Sequence, residues 1–117
     1  MPVNGVTSAS PAWLPRLFWG AWGFLLVGRA LLAAQLPLFG DEAFYAWESR
    51  HPAWAYSDLP GFTAWGILLG RAALESELGI RLTSLLLGAL LPLQLMRIAD
   101  ASGLGAWRWQ AGLLALL

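Results

Sequence analysis

The sequence contains no cysteine and no lysine, and His51 is its single histidine. Without cysteine the chain can form neither a disulfide framework nor a catalytic thiolate. One histidine without a second His or Cys gives no metal-ligand pattern, so His51 is expected to be an ordinary loop residue. Only 12% of the residues are charged and the formal net charge is zero, so the charge balance gives no indication of a nucleic-acid partner.

Apolar residues dominate what is present. They make up 58% of the 117 residues, and eight residues are tryptophan. A typical soluble domain is about one-quarter charged, so this composition predicts an integral membrane protein. Tryptophan rings are typical of the two membrane–water interfaces, and they also serve as stacking platforms for sugars.

Two apolar runs are long enough to cross a membrane. Residues 17–38 provide 22 residues, which at about 1.5 Å per residue cross a hydrocarbon core about 30 Å thick. A cleaved signal peptide is the alternative, but the run is too long and no A-x-A site precedes the acidic stretch that follows. Residues 78–98 form the second predicted span, whose Pro92 and Gln94 suit a protein-lined environment better than lipid.

The other segments complete an all-α integral membrane fold. Residues 1–16 are predicted to be an N-terminal tail, and residues 99–117 a turn followed by the start of a third transmembrane helix. This arrangement is the one expected of the N-terminal piece of a longer multi-pass protein. Arginines flank the spans without a clear bias, so the charges do not indicate the orientation.

Residues 39–77 form a loop between the two spans and hold six of the seven acidic residues. Residues 42–49 are predicted to form a short helix with Asp41 as its N-cap. Residues 51–60 contain two prolines and are predicted to be a loop. Residues 61–74 are apolar but too short to span, which favours an interfacial or re-entrant helix.

Asp41 is the strongest candidate for chemistry in this loop. A carboxylate between an apolar helix and an aqueous face can act as a general base or help to hold a divalent cation. Adjacent helical residues point about 100° apart, so at most one of Asp41 and Glu42 would aim at a reaction centre. The structural alternative is that Asp41 caps the helix and that Glu42 interacts with its dipole.

Arg29 is the second unusual residue, because it lies well inside the first predicted span. An unpaired arginine there costs about 2.5–3.5 kcal/mol on insertion scales, which favours a position facing protein or a water-filled cavity. Arg29 could then pair with an acid or bind a phosphate; snorkelling to the interface is the alternative. The aromatic residues around the acids fit either a sugar site or an interfacial belt.

Four segments occur in an order that resembles a known enzyme family. They are Arg29, "GDEAFYAWESRHPA" from Gly40, "AYSDLPGFTAW" from Ala55 and "LGIRLTSLLLGAL" from Leu78. Across about residues 25–95 this series is similar to the N-terminal part of the GT-C-fold, polyprenyl-phosphate-dependent glycosyltransferases. The most similar members are the bacterial relatives of protein O-mannosyltransferases and of the lipid A aminoarabinose transferase, which read "DEAYYW", "YYDHPPLVAW" and "VRLPSxLxG" in the last three segments.

The resemblance implies an enzyme of the bacterial inner (plasma) membrane, with the loop after the first helix on the extracytoplasmic side. It would move a sugar from a polyprenyl-phosphate donor to an acceptor hydroxyl of a protein or glycolipid, in contact with membrane lipid. Asp41 would be the catalytic base and Glu42 its helper. The resemblance implies no obligatory cofactor, although a divalent cation is left open.

The same resemblance implies a set of substrate-binding residues. Arg29 or Arg81 would neutralise the donor phosphate, and the further members are Tyr45, Tyr56 and Asp58. The sequence departs from the family where "YSDLPG" replaces "YDHPP", so that Leu59 stands in place of a histidine, and where "RLTS" replaces "RLPS". The first change implies an altered choice of substrate or an altered activity.

Two other classes of function remain open from the residues. One is a non-catalytic membrane subunit or the remnant of a decayed enzyme, and the other is a piece of a transporter or channel with Arg29 and the acids along a polar pathway. The family needs many more membrane helices than this chain contains. The 117 residues alone are therefore expected to be inactive, because two helices and a fragment cannot enclose a lipid-linked donor.

Overall fold

The computed structural model describes residues 10–56 and 61–117, and in these ranges the chain is helical, with no β-strand. The helices are α1 (Trp13–Gln35), α2 (Gly40–Glu48), α3 (Phe62–Ala73), α4 (Glu77–Ala101) and α5 (Arg108–Leu114). A single 3-10 turn, Gly105–Trp107, comes directly before α5. The all-α prediction is confirmed for the described residues.

Helices α1 and α4 are each long and apolar enough to cross a membrane. α1 begins at Trp13, four residues before the predicted start, because Pro15 falls in the first turn, where its missing N–H needs no partner. It ends at Gln35, since Leu36 precedes Pro37 and the residue before a proline is pushed out of the helical region. α4 starts and ends slightly outside the predicted residues 78–98 and continues through Pro92.

Both short helices of the predicted loop are present, as α2 and α3. The predicted N-cap of α2 is wrong: Phe39 occupies the cap position and Asp41 is the second helical residue. The helix starts earlier because the side chain of Glu42, its third residue, accepts a hydrogen bond of 3.1 Å from the backbone N–H of Phe39.

The start of α4 is also capped by a side chain. The hydroxyl of Ser76, just before α4, accepts a hydrogen bond of 3.3 Å from the N–H of Gly79.

The described chain consists of two compact units that share α1 and α4. One comprises the residues up to Leu25 together with Gly88–Leu117, and the other comprises Leu26–Leu87. The first unit has an apolar core of Phe18, Met96 and Leu116. Pro92 is fully buried there, and the indole N–H of Trp22 donates a 2.9 Å bond to the carbonyl of Ala89, three residues before the proline.

The second unit contains α2 and α3, the end of α1 and the start of α4. Helices α3 and α4 approach closely at glycine: a Cβ on Gly70 would overlap the carbonyl oxygen of Gly79, and a Cβ on Gly66 would lie 3.2 Å from a carbon of Thr83. The hydroxyl of Thr83 donates a 2.6 Å bond to the carbonyl of Gly66. These small residues bring the start of α4 against α3.

Candidate functional site

A cavity of about 240 Å³ in the second unit brings together three of the predicted site residues, Glu42, Tyr45 and Arg81. Glu42 and Tyr45 lie one turn apart on α2, and Arg81 lies in the second turn of α4. The rest of the lining is mixed, with hydroxyls and apolar side chains contributed by α3 and α4: Phe62, Thr63, Gly66, Ile67, Ile80, Thr83, Ser84 and Leu87.

Arg81 forms the centre of the polar contacts in this cavity. Its Nε and Nη2 donate bonds of 2.9 and 2.6 Å to the two carboxylate oxygens of Glu42. Such a two-point pair is the strongest geometry that an arginine and a carboxylate can form. The side chain of Arg81 is only 13% exposed and that of Glu42 33% exposed. The pair is therefore partly shielded from water and holds α2 against α4.

The remaining donors of Arg81 bind the end of α1. Nη1 donates to the carbonyls of Ala33 and Leu36, at 2.7 and 2.8 Å. Nη2 also donates to the carbonyl of Pro37, at 3.0 Å. The last carbonyls of a helix lack partners within the helix, and a cationic side chain satisfies them. Because a guanidinium has five N–H donors, the protein occupies every donor of Arg81.

The carboxylate of Glu42 is held in its charged form. The hydrogen bond from Arg81 is the main reason why the pKa of Glu42 is lowered from its usual range; partial burial opposes this effect, and the backbone N–H of Phe39 adds to it. A carboxylate that accepts three hydrogen bonds and has a lowered pKa is a poor proton acceptor. Glu42 is therefore suited to organising the site and not to taking a proton.

Asp41 lies next to Glu42 on α2 but does not line the cavity. Its side chain is exposed, and within residues 10–56 and 61–117 no hydrogen bond or ion pair involves its carboxylate. The structure thus gives the two adjacent acids different surroundings, as their angular separation on a helix predicts. Asp41 keeps a carboxylate that is available to an outside group.

The other predicted site residues lie elsewhere. Arg29 is exposed on α1, about 9 Å along the helix axis from Gln35. Tyr56 is engaged in its own loop, because its hydroxyl donates to the carbonyl of His51 at 2.9 Å and accepts from the N–H of Ala53 at 3.1 Å. Asp58 lies outside the described residues.

Sequence reasoning missed the hydroxyl residues of the cavity, Thr63, Thr83 and Ser84. The available signal was the departure "RLTS", because Thr83 stands where the similar family has proline and its hydroxyl binds the α3 backbone. The arginines Arg50 and Arg71, which line a second cavity, were also missed as a pair. They are 21 positions apart in the sequence, and only the contact between α2 and α3 brings them together.

No group of three or more metal-binding side chains occurs in the part of the chain that the structure describes. Comparison with known proteins adds no relative: no family model, no curated protein and no solved structure matches this chain.

Proposed function

We propose that the chain is an integral membrane protein that carries the catalytic first loop of a GT-C-type glycosyltransferase using a polyprenyl-phosphate sugar. The membrane part is supported by α1 and α4, which are long and apolar enough to span. The transferase part is supported by one observation: Glu42 and Arg81, from two of the segments on which the resemblance rests, hydrogen-bond to each other in one cavity.

In this proposal Asp41 is the general base. It takes the proton of the acceptor hydroxyl while the hydroxyl oxygen bonds to the anomeric carbon of the sugar. The bond from that carbon to the donor phosphate breaks, and its electron pair leaves with the phosphate. A positioned base of this kind contributes about 10²–10⁴-fold to a rate. Asp41 fits this role better than Glu42, because Arg81 already binds the carboxylate of Glu42.

The cavity beside Glu42 suits the sugar. A volume of about 240 Å³ lies below the range of drug-sized ligand pockets and fits a small polar group. Its lining combines the aromatic Phe62 with hydroxyls of Tyr45 and Ser84, which can stack on and hydrogen-bond to a sugar ring. The donor phosphate is assigned to Arg29, because every N–H donor of Arg81 already has a protein partner.

The test is an Asp41→Asn variant expressed from the complete open reading frame that contains this chain. Consumption of a radiolabelled polyprenyl-phosphate sugar should fall at least about 10²-fold, while donor binding stays within twofold. The control is Asp100→Asn, which removes an exposed carboxylate that forms a surface ion pair with Arg108 in the other unit. Full activity of Asp41→Asn would remove the catalytic assignment. Absence of sugar transfer by the parent protein would favour a non-catalytic subunit, and solute flux across liposomes a transporter.

A further inference from the structure

A larger cavity, of about 540 Å³, lies in the second unit along α2, α3 and the connection to α4. Its charged lining residues are Arg50, Arg71 and Glu75, and its apolar ones include Leu38, Trp47 and Ile80. A neighbouring cavity of about 330 Å³ is lined by the same three charged residues. Neither cavity includes Glu42 or Arg81, although Ile80 lines both the larger cavity and the candidate sugar site.

Among the described residues, the two arginines of this cavity leave most of their N–H donors without a protein partner. Arg71 donates one side-chain hydrogen bond within the part of the chain that the structure describes, from Nη1 to the carbonyl of Ala46 at 3.3 Å. Within residues 10–56 and 61–117 the guanidinium of Arg50 makes none. Arg81, in the same unit, has all five of its donors bound to protein. The contrast separates an arginine that holds the fold from two that face an open cavity.

The charge balance of the cavity favours an anion. Two guanidinium groups face one carboxylate, and in the described residues Glu75 forms an ion pair with neither of them. The two guanidinium groups carry like charges and repel each other, and apolar side chains such as Leu38 and Ile80 strengthen this repulsion because they lower the local dielectric constant. A bound anion relieves this repulsion. Phosphate is the anion that guanidinium groups match best, through paired N–H···O bonds.

The position of the cavity indicates where such a phosphate would come from. Leu38 lies three positions after the end of α1, and Ser76 immediately precedes α4, so the cavity opens at the ends of the two candidate spans. In a membrane this is the level of the lipid headgroups. The exposed indole of Trp47 at the same cavity suits that level as well.

We propose that the Arg50–Arg71 cavity binds the phosphate of an anionic phospholipid headgroup from the surrounding bilayer. The proposal rests on the membrane placement given under the proposed function, but not on sugar transfer. Both guanidinium groups bond to the phosphate oxygens, and the lipid tails pass over Leu38 and Ile80. Glu75, at the same cavity, disfavours a headgroup with a second negative charge.

The experiment measures lipid binding by the full chain in neutral detergent. Short-chain phosphatidylglycerol and phosphatidylcholine are titrated separately, and bound lipid is counted by native mass spectrometry. We expect one phosphatidylglycerol to bind, and the dissociation constant to rise at least about tenfold in Arg50→Gln and further in Arg50→Gln/Arg71→Gln. Arg50→Lys should recover only part of the affinity, because an ammonium lacks the paired donors.

The controls separate this proposal from a general charge effect and from misfolding. Arg97→Gln removes an exposed arginine of α4 in the other unit and should leave binding unchanged. Arg50 has no side-chain hydrogen bond in the described residues, so Arg50→Gln should melt like the parent protein. Equal binding of both lipids, or parental affinity in the double variant, would overturn the proposal.

Three further measurements distinguish other sources of the phosphate and other failures. If inorganic phosphate binds as tightly as phosphatidylglycerol, the natural ligand of the cavity is a free anion and the lipid proposal is overturned. Polyprenyl phosphate that binds this cavity far more tightly would assign it to the donor, and so would also overturn a bilayer-lipid site. Extraction of the chain from membranes at alkaline pH would overturn the membrane placement, whereas stable integration without phosphatidylglycerol binding would overturn this proposal alone.

Discussion

Arg81 and Glu42 are 39 positions apart in the sequence, and their side chains meet through two hydrogen bonds, of 2.9 and 2.6 Å. The same guanidinium binds three carbonyls in the last turn of α1 and just after it, and the same carboxylate accepts a hydrogen bond from the N–H of Phe39 at the start of α2. One ion pair thus satisfies two helix ends. Its two residues hold the end of α1, the start of α2 and the start of α4 together, while the neighbouring Asp41 stays exposed.

Replacing Arg81 should destabilise the chain strongly. Arg81→Gln removes the charge partner of Glu42 and leaves the carbonyls of Ala33, Leu36 and Pro37 without their donors. Breaking a partly buried pair of this kind costs about 3 kcal/mol. The free energy of unfolding, measured by denaturant titration in detergent, should fall by about that amount.

Two comparisons give this prediction its control. Arg81→Lys should recover only part of the loss, because a lysine cannot serve five acceptors in the plane of a guanidinium. Arg97→Gln, on an exposed part of α4, should lie within about 0.5 kcal/mol of the parent. An Arg81→Gln protein as stable as Arg97→Gln would contradict the role assigned to the pair.

Stability should decrease at acid pH because of Glu42. Its pKa is lowered in the folded protein, mainly by the hydrogen bond from Arg81, so the unfolded chain binds more protons than the folded one. This contribution is complete above the ordinary pKa of a glutamate and is lost as the pH falls through the lowered value. Unfolding free energies measured between pH 7 and about pH 3 should show the decline.

The Glu42→Gln variant isolates this carboxylate. It should be less stable than the parent at neutral pH and should lose less stability on acidification, so that the two curves converge at low pH. Curves that run parallel over the whole range would show that another group causes the acid sensitivity.

A methyl group added at the glycines where α3 contacts α4 should destabilise the chain. In Gly70→Ala the new Cβ would overlap the carbonyl oxygen of Gly79, which is backbone and cannot move aside as a flexible side chain can. Forced contacts of this kind cost about 1–3 kcal/mol. The midpoint of thermal unfolding should fall, as followed by circular dichroism.

Gly28→Ala is the matched control. It lies inside α1, and a Cβ at Gly28 would meet nothing within 4 Å. Alanine is about 1 kcal/mol better than glycine in a helix, so this variant should be slightly more stable than the parent. Equal losses for both variants would indicate that the α3–α4 approach does not limit the fold.

The Trp22 hydrogen bond should contribute measurably to the first unit. The indole N–H of Trp22 donates a 2.9 Å bond to the carbonyl of Ala89, three residues before Pro92 in α4. Trp22→Phe removes this donor and should cost about 1 kcal/mol beyond the loss of ring area. Trp19→Phe, at an exposed ring, is the comparison, and an equal effect of the two would contradict the prediction.

Most of the helical layout follows from local sequence. Apolar length predicts α1 and α4, and the charges, prolines and glycines around them predict two short helices between. The observed helix ends differ from the predicted ones by a few residues, because more than one residue near each end can cap or terminate the helix. Asp41 is a favoured cap residue, yet the capping interaction of Glu42 with Phe39 places the start of α2 at Gly40, two residues earlier than predicted.

The candidate site was less predictable. Glu42, Tyr45 and Arg81 were all singled out, but their roles depend on contacts between distant parts of the chain. Nothing local shows that Arg81 would bind the end of α1 and so have no donor left for a phosphate. The Arg50–Arg71 cavity could not be predicted from the sequence either. The pattern of residues within one segment carries no information about which residue of another segment will lie beside it.

The glycine contact between α3 and α4 also sets an order of events during synthesis. Helix α3 emerges from the ribosome first, and its exposed Leu69 and Phe62 make it apolar, yet its 12 residues are too few to cross a bilayer alone. The backbone that packs against Gly70 is that of Gly79, which is synthesised nine residues later. In the proposed membrane setting, the close contact between α3 and α4 therefore forms only after the start of α4 has been synthesised.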